Sequence, residues 1–254
     1  MRSRAIPAEV VDSRAAVARQ TRDAVLAGIA RDLTRHLKLA LSDEQNLVLE
    51  GQRDQRSRQP KRALADLWSE LEGSDRYEQA ARRELIGALE AGWGAVRSGS
   101  DERPDPALLD PVVEELCRLL TGPLRERLHR ALDDTGDGAG SAERVRNLYR
   151  ETRTEQAGPL AEHGALAAFA TGQHAAAGRL PAGPDVRVRW AFDECVPDCY
   201  DNFLAGPLPL DATFPTDHRH PPAFPGCRCL LMVETSPSGD VVGGVLGEEP
   251  PRGR

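Results

Sequence analysis

The chain has 254 residues, of which 40% are hydrophobic, and this is enough apolar material to bury the core of one large domain or two modest ones. Its formal net charge of -7 argues against an overall attraction to nucleic acid, because phosphate binding needs clustered positive charge. Alanine and arginine are abundant, which predicts that helix dominates the fold.

The N-terminal residues Met1 to Pro7 are basic, but a charged helical pattern follows them instead of an apolar segment, so no signal peptide is predicted. No apolar run approaches the roughly 18 residues that a membrane-spanning helix needs. We therefore expect a soluble protein made in the cytoplasm. In that reducing compartment, closely spaced cysteines are more often metal ligands or thiols than disulfides.

The first helical segment is predicted from about residue 7 to residue 41. Apolar residues recur there at intervals of three and four and form one face, with Leu26, Ile29, Leu33, Leu37 and Ala40. The opposite face is predicted to be solvated and includes Arg22, Asp23, Arg31, Asp32 and Arg35. Ser42 to Glu44 then resembles the cap of a short second helix that ends near Leu49.

Residues 51–62 form the densest basic run of the chain. Contact with DNA or an acidic partner is one interpretation, but no aromatic residue is interleaved for base stacking, so a solvated loop between helices is favoured. Helical patterns follow from Ala63 to Val96, with a break at Gly73-Ser74, and again from Asp110-Pro111 onward. Cys117 lies on the apolar face of that last block and is interpreted as a small buried hydrophobic residue.

Thr135 to Gly140 has no large apolar side chain and is the best candidate for a linker. It divides a helical, partner-docking region, residues 1–134, from a C-terminal module, residues 141–233, and residues 234–254 are predicted to be disordered. In the C-terminal module a helix begins at Ser141. Alternating apolar residues from Val186 to Phe192 then predict a strand with one buried face.

The continuous apolar run from Cys229 to Val233 predicts a second strand. Pairing of the two strands would bring the cysteine-bearing segments together, since one cysteine pair follows the first strand and the other opens the second. The predicted fold class is therefore α+β, mainly α, with a short two-stranded sheet and a Cys-rich loop in the C-terminal module.

Four of the five cysteines form two close pairs, Cys195/Cys199 and Cys227/Cys229. Two residues apart on an extended chain, Cys227 and Cys229 point to the same side. Four converging sulfurs would form a closed tetrahedral site, the structural form of zinc binding, and His218 or His220 could replace one sulfur. The alternatives that stay open are reduced structural thiols or a disulfide.

A second interpretation takes Asp217-His218-Arg219-His220-Pro221 as the core of an HNH-type, metal-dependent nuclease flanked by zinc-binding cysteines. In such a site a histidine activates water for attack on a metal-bound phosphodiester. The segment that would supply the remaining ligands of such a nuclease is not evident after this core.

The order of motifs from Ser141 to Val233 resembles the MuF-type phage head morphogenesis proteins, also called minor head proteins. The resemblance lies in a helix ending A-A-F-A-T-G, a strand with R-W, and then D-E-C-V-P-D-C, D-N-x-L-A-G-P, F-P-T-D-H-R-H-P-P and P-G-C-R-C-L-L. In one departure, Phe224 stands where the family often has histidine before the final proline of the P-P-x-H-P motif. No comparable signature is found in the N-terminal helical region.

The resemblance implies a non-enzymatic assembly protein of a phage or prophage, present in few copies at the portal vertex. It implies contacts with the portal protein and with capsid or scaffold subunits. The location would be the host cytoplasm during assembly and the interior of the virion head afterwards. On the matched positions it implies a conformational or metal-binding knot formed by Cys195, Cys199, Cys227 and Cys229.

Overall fold

The structure is a computed structural model that describes residues 13–55, 64–133, 138–181, 186–193, 197–235 and 241–242. It is mainly helical, with a small antiparallel sheet near the C-terminal end, which confirms the predicted α+β, mainly α class. The helices are α1 (Ser13–Gln55), α2 (Leu64–Glu72), α3 (Arg76–Val96), α4 (Asp110–Asp133), α5 (Gly138–Glu151), α6 (Ala157–Ala177) and α7 (Pro197–Leu204). A 3-10 turn, Pro106–Leu109, precedes α4, and a π-helical segment, Thr152–Gln156, connects α5 to α6.

Among the described helices, none combines the length and the apolar character that crossing a membrane requires.

The predicted break in the first helix is wrong, because α1 continues through Ser42, Asp43 and Glu44. Ser42 does not act as a cap: its hydroxyl donates to the carbonyl of Lys38 one turn earlier, at 2.8 Å. Glu44 is fully buried, and its carboxylate accepts a hydrogen bond of 2.9 Å from the Tyr149 hydroxyl. Both residues can therefore lie inside the helix, Ser42 through a bond to its own helix and Glu44 through a tertiary contact.

The sheet has four strands in the order β2-β1-β3-β4, all antiparallel: β1 (Arg187–Ala191), β2 (Leu208–Pro209), β3 (Leu230–Glu234) and β4 (Val241–Val242). The predicted pairing of the two longer strands is confirmed, with Trp190 opposite Leu231 and Val188 opposite Val233. The sheet exceeds the predicted two strands, because β2 and β4 add a short strand at each edge. β4 belongs to the segment predicted as disordered, of which residues 236–240 and 243–254 lie outside the described residues.

The chain divides into two compact units, each assembled from segments that are distant in sequence. The first unit comprises Met1–Ala27, Ala88–Asp105 and Leu166–Arg254, and the second comprises Gly28–Gly87 and Pro106–Ala165. The predicted linker, residues 135–140, falls within the range of the second unit, and residues 134–137 are outside the described residues. Most of the basic run at 51–62 is also outside them.

The second unit has an interior of leucines, with Leu33, Leu37, Leu41, Leu67, Leu71, Leu85, Leu116 and Leu120 all at 1% exposure or less. Its polar centre is the buried Glu44, which accepts from Tyr149. Burial raises the pKa of Tyr149 well above its ordinary value, so the phenol stays protonated and donates at neutral pH. A paired buried carboxylate of this kind costs less than an unpaired one, which explains how Glu44 is tolerated inside α1.

In the first unit, α3 and α6 approach each other through two glycines. A Cβ added at Gly92 of α3 would lie 1.9 Å from the carbonyl oxygen of Phe169, and one added at Gly172 of α6 would lie 2.1 Å from that of Leu89. The obstructing atoms are backbone, which cannot rotate away as a side chain can. These two glycines therefore fix how closely the helices pack, and Trp93, next to Gly92, is buried beside that contact at 5% exposure.

We predict that Gly172→Ala destabilises the protein by about 1 to 3 kcal/mol, the range typical of overpacking, because the two helix backbones must separate. Gly94→Ala is the matched control. Gly94 also lies in α3, but nothing is within 4 Å of its added Cβ, so alanine there should be neutral or stabilising by up to about 1 kcal/mol. Urea unfolding followed by circular dichroism measures both changes. Equal free energies of unfolding for the two variants would contradict the proposed backbone contact.

Candidate metal centre

Three of the four predicted sulfur ligands converge in the first unit. The Sγ atoms of Cys199, Cys227 and Cys229 all lie within 4.8 Å of one another, and those of Cys199 and Cys227 are 3.4 Å apart. All three residues are buried, at 3% exposure or less. Cys195, the fourth predicted ligand, lies outside the described residues. The described part of the site can therefore hold a metal ion through three sulfurs from two chain segments.

A tight turn delivers Cys227 and Cys229 to the cluster. The amide of Cys227 donates to the carbonyl of Phe224 at 3.0 Å, and Gly226 between them has a φ of 91°. Pro225 followed by a glycine with positive φ is the sequence that a type II turn requires. The chain leaves this turn extended, so alternate residues share a side: Cys227 and Cys229 face the interior, while Arg228 is half exposed.

Cys199 reaches the cluster from α7, a helix that the sequence reading missed. Its signals were present: Pro197 occupies the first helical position, Asp198 lies in the first turn, and Gly206, with a φ of 69°, follows the C-terminus. The motif D-N-x-L-A-G-P is thus a helix and its termination. Cys199 is consequently held by a helix and does not lie in the predicted Cys-rich loop.

Asn202 of α7 connects this helix to the T-D-H-R-H loop, residues Thr216 to His220. Its fully buried side chain donates to the Thr216 hydroxyl at 2.8 Å and accepts from the Thr216 amide at 3.1 Å. The loop also closes on itself, since the Phe214 amide donates to the His218 carbonyl and the Asp217 amide to the Phe214 carbonyl, both at 2.8 Å. The motif asparagine therefore has a structural role that its spacing alone did not reveal.

The cysteines lie in one apolar cluster with the sheet. Trp190 of β1 is fully buried and packs edge to face against Phe214, with ring centroids 5.1 Å apart. Leu231 and Val233 of β3 belong to the same cluster. Buried sulfur ligands in a dry, apolar setting suit a soft metal in a closed structural site, because a catalytic ion needs an open position for water or substrate.

Arg22 of α1 binds the backbone of the C-R-C segment, which is Cys227 to Cys229. Its Nη1 donates to the Cys229 carbonyl at 2.8 Å, and its Nη2 donates to the Arg228 carbonyl at 3.1 Å. The prediction that Arg22 faces solvent is wrong, since the residue is only 3% exposed. Burial lowers the pKa of its guanidinium, and the neighbouring Asp23, which accepts from Nε at 2.9 Å, opposes that shift.

Arg19, one turn earlier on α1, contacts the other cysteine-bearing segment. Its Nη2 donates to the carbonyl of Phe192, the residue that follows β1, and its Nη1 lies 3.9 Å from a carboxylate oxygen of Asp193. The beginning of α1 therefore contacts both the chain that follows β1 and the chain that precedes β3. Sequence reasoning missed both arginines as contributors to the site.

The two candidate histidine ligands lie outside the sulfur cluster. His218 is exposed, and its Nδ1 donates to the Thr216 carbonyl at 2.6 Å. His220 is half-buried; its Nδ1 donates to the Pro221 carbonyl at 3.1 Å, and its Nε2 lies 3.4 Å from the Thr171 hydroxyl of α6. Within the described residues, the cysteines are the only group of three or more potential ligands at metal-binding distance.

Comparison of the chain with protein-family profiles, curated proteins and solved structures found no match.

His220 makes the stability of this region sensitive to acid. Burial lowers the pKa of His220 to about 4, with smaller contributions from His174, His218 and Arg219. In the unfolded chain the pKa should return to about 6.5. As the pH falls between these values, the unfolded chain binds a proton that the folded chain excludes, so folding stability is lost through that window.

We predict that His220→Asn reduces the loss of unfolding free energy between pH 7 and pH 5. The matched control is His218→Asn, which removes an exposed histidine from the same loop and should change that loss less than His220→Asn does, because burial is the largest cause of the low pKa of His220. Urea unfolding at the two pH values, with the zinc concentration held constant, measures the difference. An identical pH dependence in all three proteins would contradict a proton-excluding role of His220.

Proposed function

We propose that this chain is a minor head protein of a phage or prophage, which acts in procapsid assembly at the portal vertex as a structural, non-catalytic component. The proposal rests on the burial of the residues that make up the motif order resembling this family. Trp190, Asn202, Phe214, Cys227 and Cys229 come from separate motifs, yet all are buried in the first unit. Packing and hydrogen bonding within this unit thus account for the presence of these motif residues.

A catalytic role has less support from the same region. General acid-base and metal-assisted hydrolysis require titratable groups in mutual reach of a substrate. The described cluster consists of buried thiols only, with no carboxylate or imidazole among its members. A group without access to water or substrate is suited to holding chain segments together, which supports the assembly role.

We further propose that the cysteines bind a structural zinc ion. Three sulfurs are within reach of one ion, and Cys195 is the candidate for the fourth ligand of a closed tetrahedral set. In sequence, Cys195 lies between the end of β1 at Ala191 and the start of α7 at Pro197. Such an ion would join α7 to the segment that opens β3 and would stabilise a module with a very small sheet.

The partner proposed for this protein is the portal protein, with capsid or scaffold subunits as further contacts. The N-terminal helical region, residues 1–134, is proposed as the docking region because the motifs that resemble the family all lie after it, between residues 141 and 233. The chain would be present in the host cytoplasm during assembly and in the interior of the virion head afterwards.

We predict that the purified protein contains zinc in a one-to-one ratio and that Cys227→Ser loses it. The matched control is Cys117→Ser: Cys117 lies in α4 of the other unit, half-buried, where burial raises its pKa to about 11, so it is not a ready thiolate ligand. Inductively coupled plasma mass spectrometry of the three proteins gives the stoichiometry. Folded, metal-free wild-type protein would refute the zinc assignment.

The alternative function is a zinc-stabilised nuclease of the HNH type that uses the D-H-R-H-P segment. One observation favours it: the Nδ1–H of His218 is held by the Thr216 carbonyl, which leaves Nε2 of an exposed ring as the acceptor that a general base needs. Among the described residues, His218 belongs to no group of three or more potential metal ligands. The assembly function therefore has the better support.

We predict that the protein forms a complex with the portal protein encoded in the same genome when the two are co-expressed, and that the complex co-elutes in size-exclusion chromatography. A portal protein from an unrelated phage is the control and should not co-elute. The competing outcome is cleavage of duplex DNA in the presence of a divalent metal, abolished by His218→Ala. That result, without complex formation, would replace the assembly function by the nuclease.

A further inference from the structure

We propose that Arg22 of α1 is a positioning residue of the metal centre: its guanidinium fixes the peptide groups of the C-R-C segment and supplies buried positive charge beside the sulfur ligands. This inference rests on the proposed metal binding by the cysteines. The proposal adds to the ligands a residue of α1 that lies 207 positions before Cys229 in the sequence.

Arg22 binds two consecutive peptide groups of the ligand segment. The two terminal nitrogens of Arg22 donate to the carbonyls of consecutive residues, at 2.8 Å to Cys229 and 3.1 Å to Arg228. A planar guanidinium fork bound to two successive carbonyls restricts the orientation of both peptide planes. Because the Cα of Cys229 lies between those planes, this contact fixes the direction from which its Sγ enters the cluster. Groups that orient ligands in this way commonly set metal affinity.

Arg22 also carries a buried positive charge. A divalent ion held by several thiolates bears a net negative charge, which is costly in an apolar interior unless positive charge is near. Arg22 is buried, and its two terminal nitrogens face neutral carbonyls of the ligand segment. Its Nε and Nη2 also each lie 2.9 Å from a carboxylate oxygen of the partly exposed Asp23, which in turn accepts from Arg228 at 2.9 Å. Because Asp23 is shared with Arg228 and is partly exposed to water, it neutralises the guanidinium charge of Arg22 only in part.

The competing explanation is that Arg22 merely satisfies two buried carbonyls, as any buried acceptor requires. Three substitutions separate the two roles. Arg22→Met keeps most of the side-chain volume but neither charge nor donors. Arg22→Gln keeps a donor without charge, and Arg22→Lys keeps the charge without the fork. Arg35→Gln is the control, since Arg35 is on the same helix but is 65% exposed and paired with Asp32.

The experiment measures zinc affinity of the full-length proteins by competition with a chromogenic chelator, together with the absorption spectrum of the cobalt-substituted forms. We expect Arg22→Met and Arg22→Gln to raise the Kd for zinc at least tenfold and to shift the cobalt bands, which report ligand geometry. Arg22→Lys should recover part of the affinity and Arg35→Gln should match the wild type. Circular dichroism confirms that each variant is folded.

A Kd for Arg22→Met within twofold of the wild type overturns the proposal, as does a failure of lysine to recover any affinity relative to glutamine. If the methionine variant does not fold, the glutamine and lysine variants provide the same comparison. A wild-type protein that binds neither zinc nor cobalt overturns the metal assignment itself, and this inference with it. Metal-bound wild-type protein with unaffected Arg22 variants overturns this inference alone.

Discussion

The antiparallel pairing of β1 with β3 is the interaction on which the rest of the first unit depends. Each strand has only five residues, and a pair of this size is at most marginally stable in water unless its apolar face is covered. The cover comes from the Phe214 loop, the cysteines and the buried ends of α3 and α6, which form one cluster with Trp190. The same pairing brings the chain after β1 next to the chain before β3, so the cysteine-bearing segments meet as a consequence of strand register.

Segments with little regular structure surround this sheet, and their backbone groups need partners when water is excluded. Asn202 satisfies the amide of Thr216, and Arg22 satisfies two carbonyls of the C-R-C segment. Both side chains are nearly inaccessible to water. Their removal would leave buried polar groups unpaired, which costs about 1 to 3 kcal/mol for each group. Proline and glycine permit the turns of these loops, and a small number of long-range polar contacts determines which conformation the loops adopt.

Sequence patterns predicted the features that depend on local periodicity. Alternation placed Val188 and Trp190 on the buried face of a strand, and the apolar run before Glu234 identified its partner. Patterns failed where a distant residue decides the outcome. The sequence predicted Glu44 to be part of a helix cap, because the contact with Tyr149 is not visible in it. Arg22 was predicted to be solvated, although it lies four residues before Leu26 on the buried stripe of α1. A charged residue on an apolar stripe is the available signal for such a buried contact, and it does not identify the partner.

The chemistry of the cysteine cluster fits a role in holding chain segments together. Its sulfurs are buried, and the nearest sequence candidates for catalysis, His218 and His220, are engaged by backbone carbonyls outside it. Catalysis requires groups whose protonation changes in contact with substrate, whereas a structural ion requires ligands shielded from competitors. The motif order consists largely of residues that build this module, so packing and hydrogen bonding explain why these residues occur together.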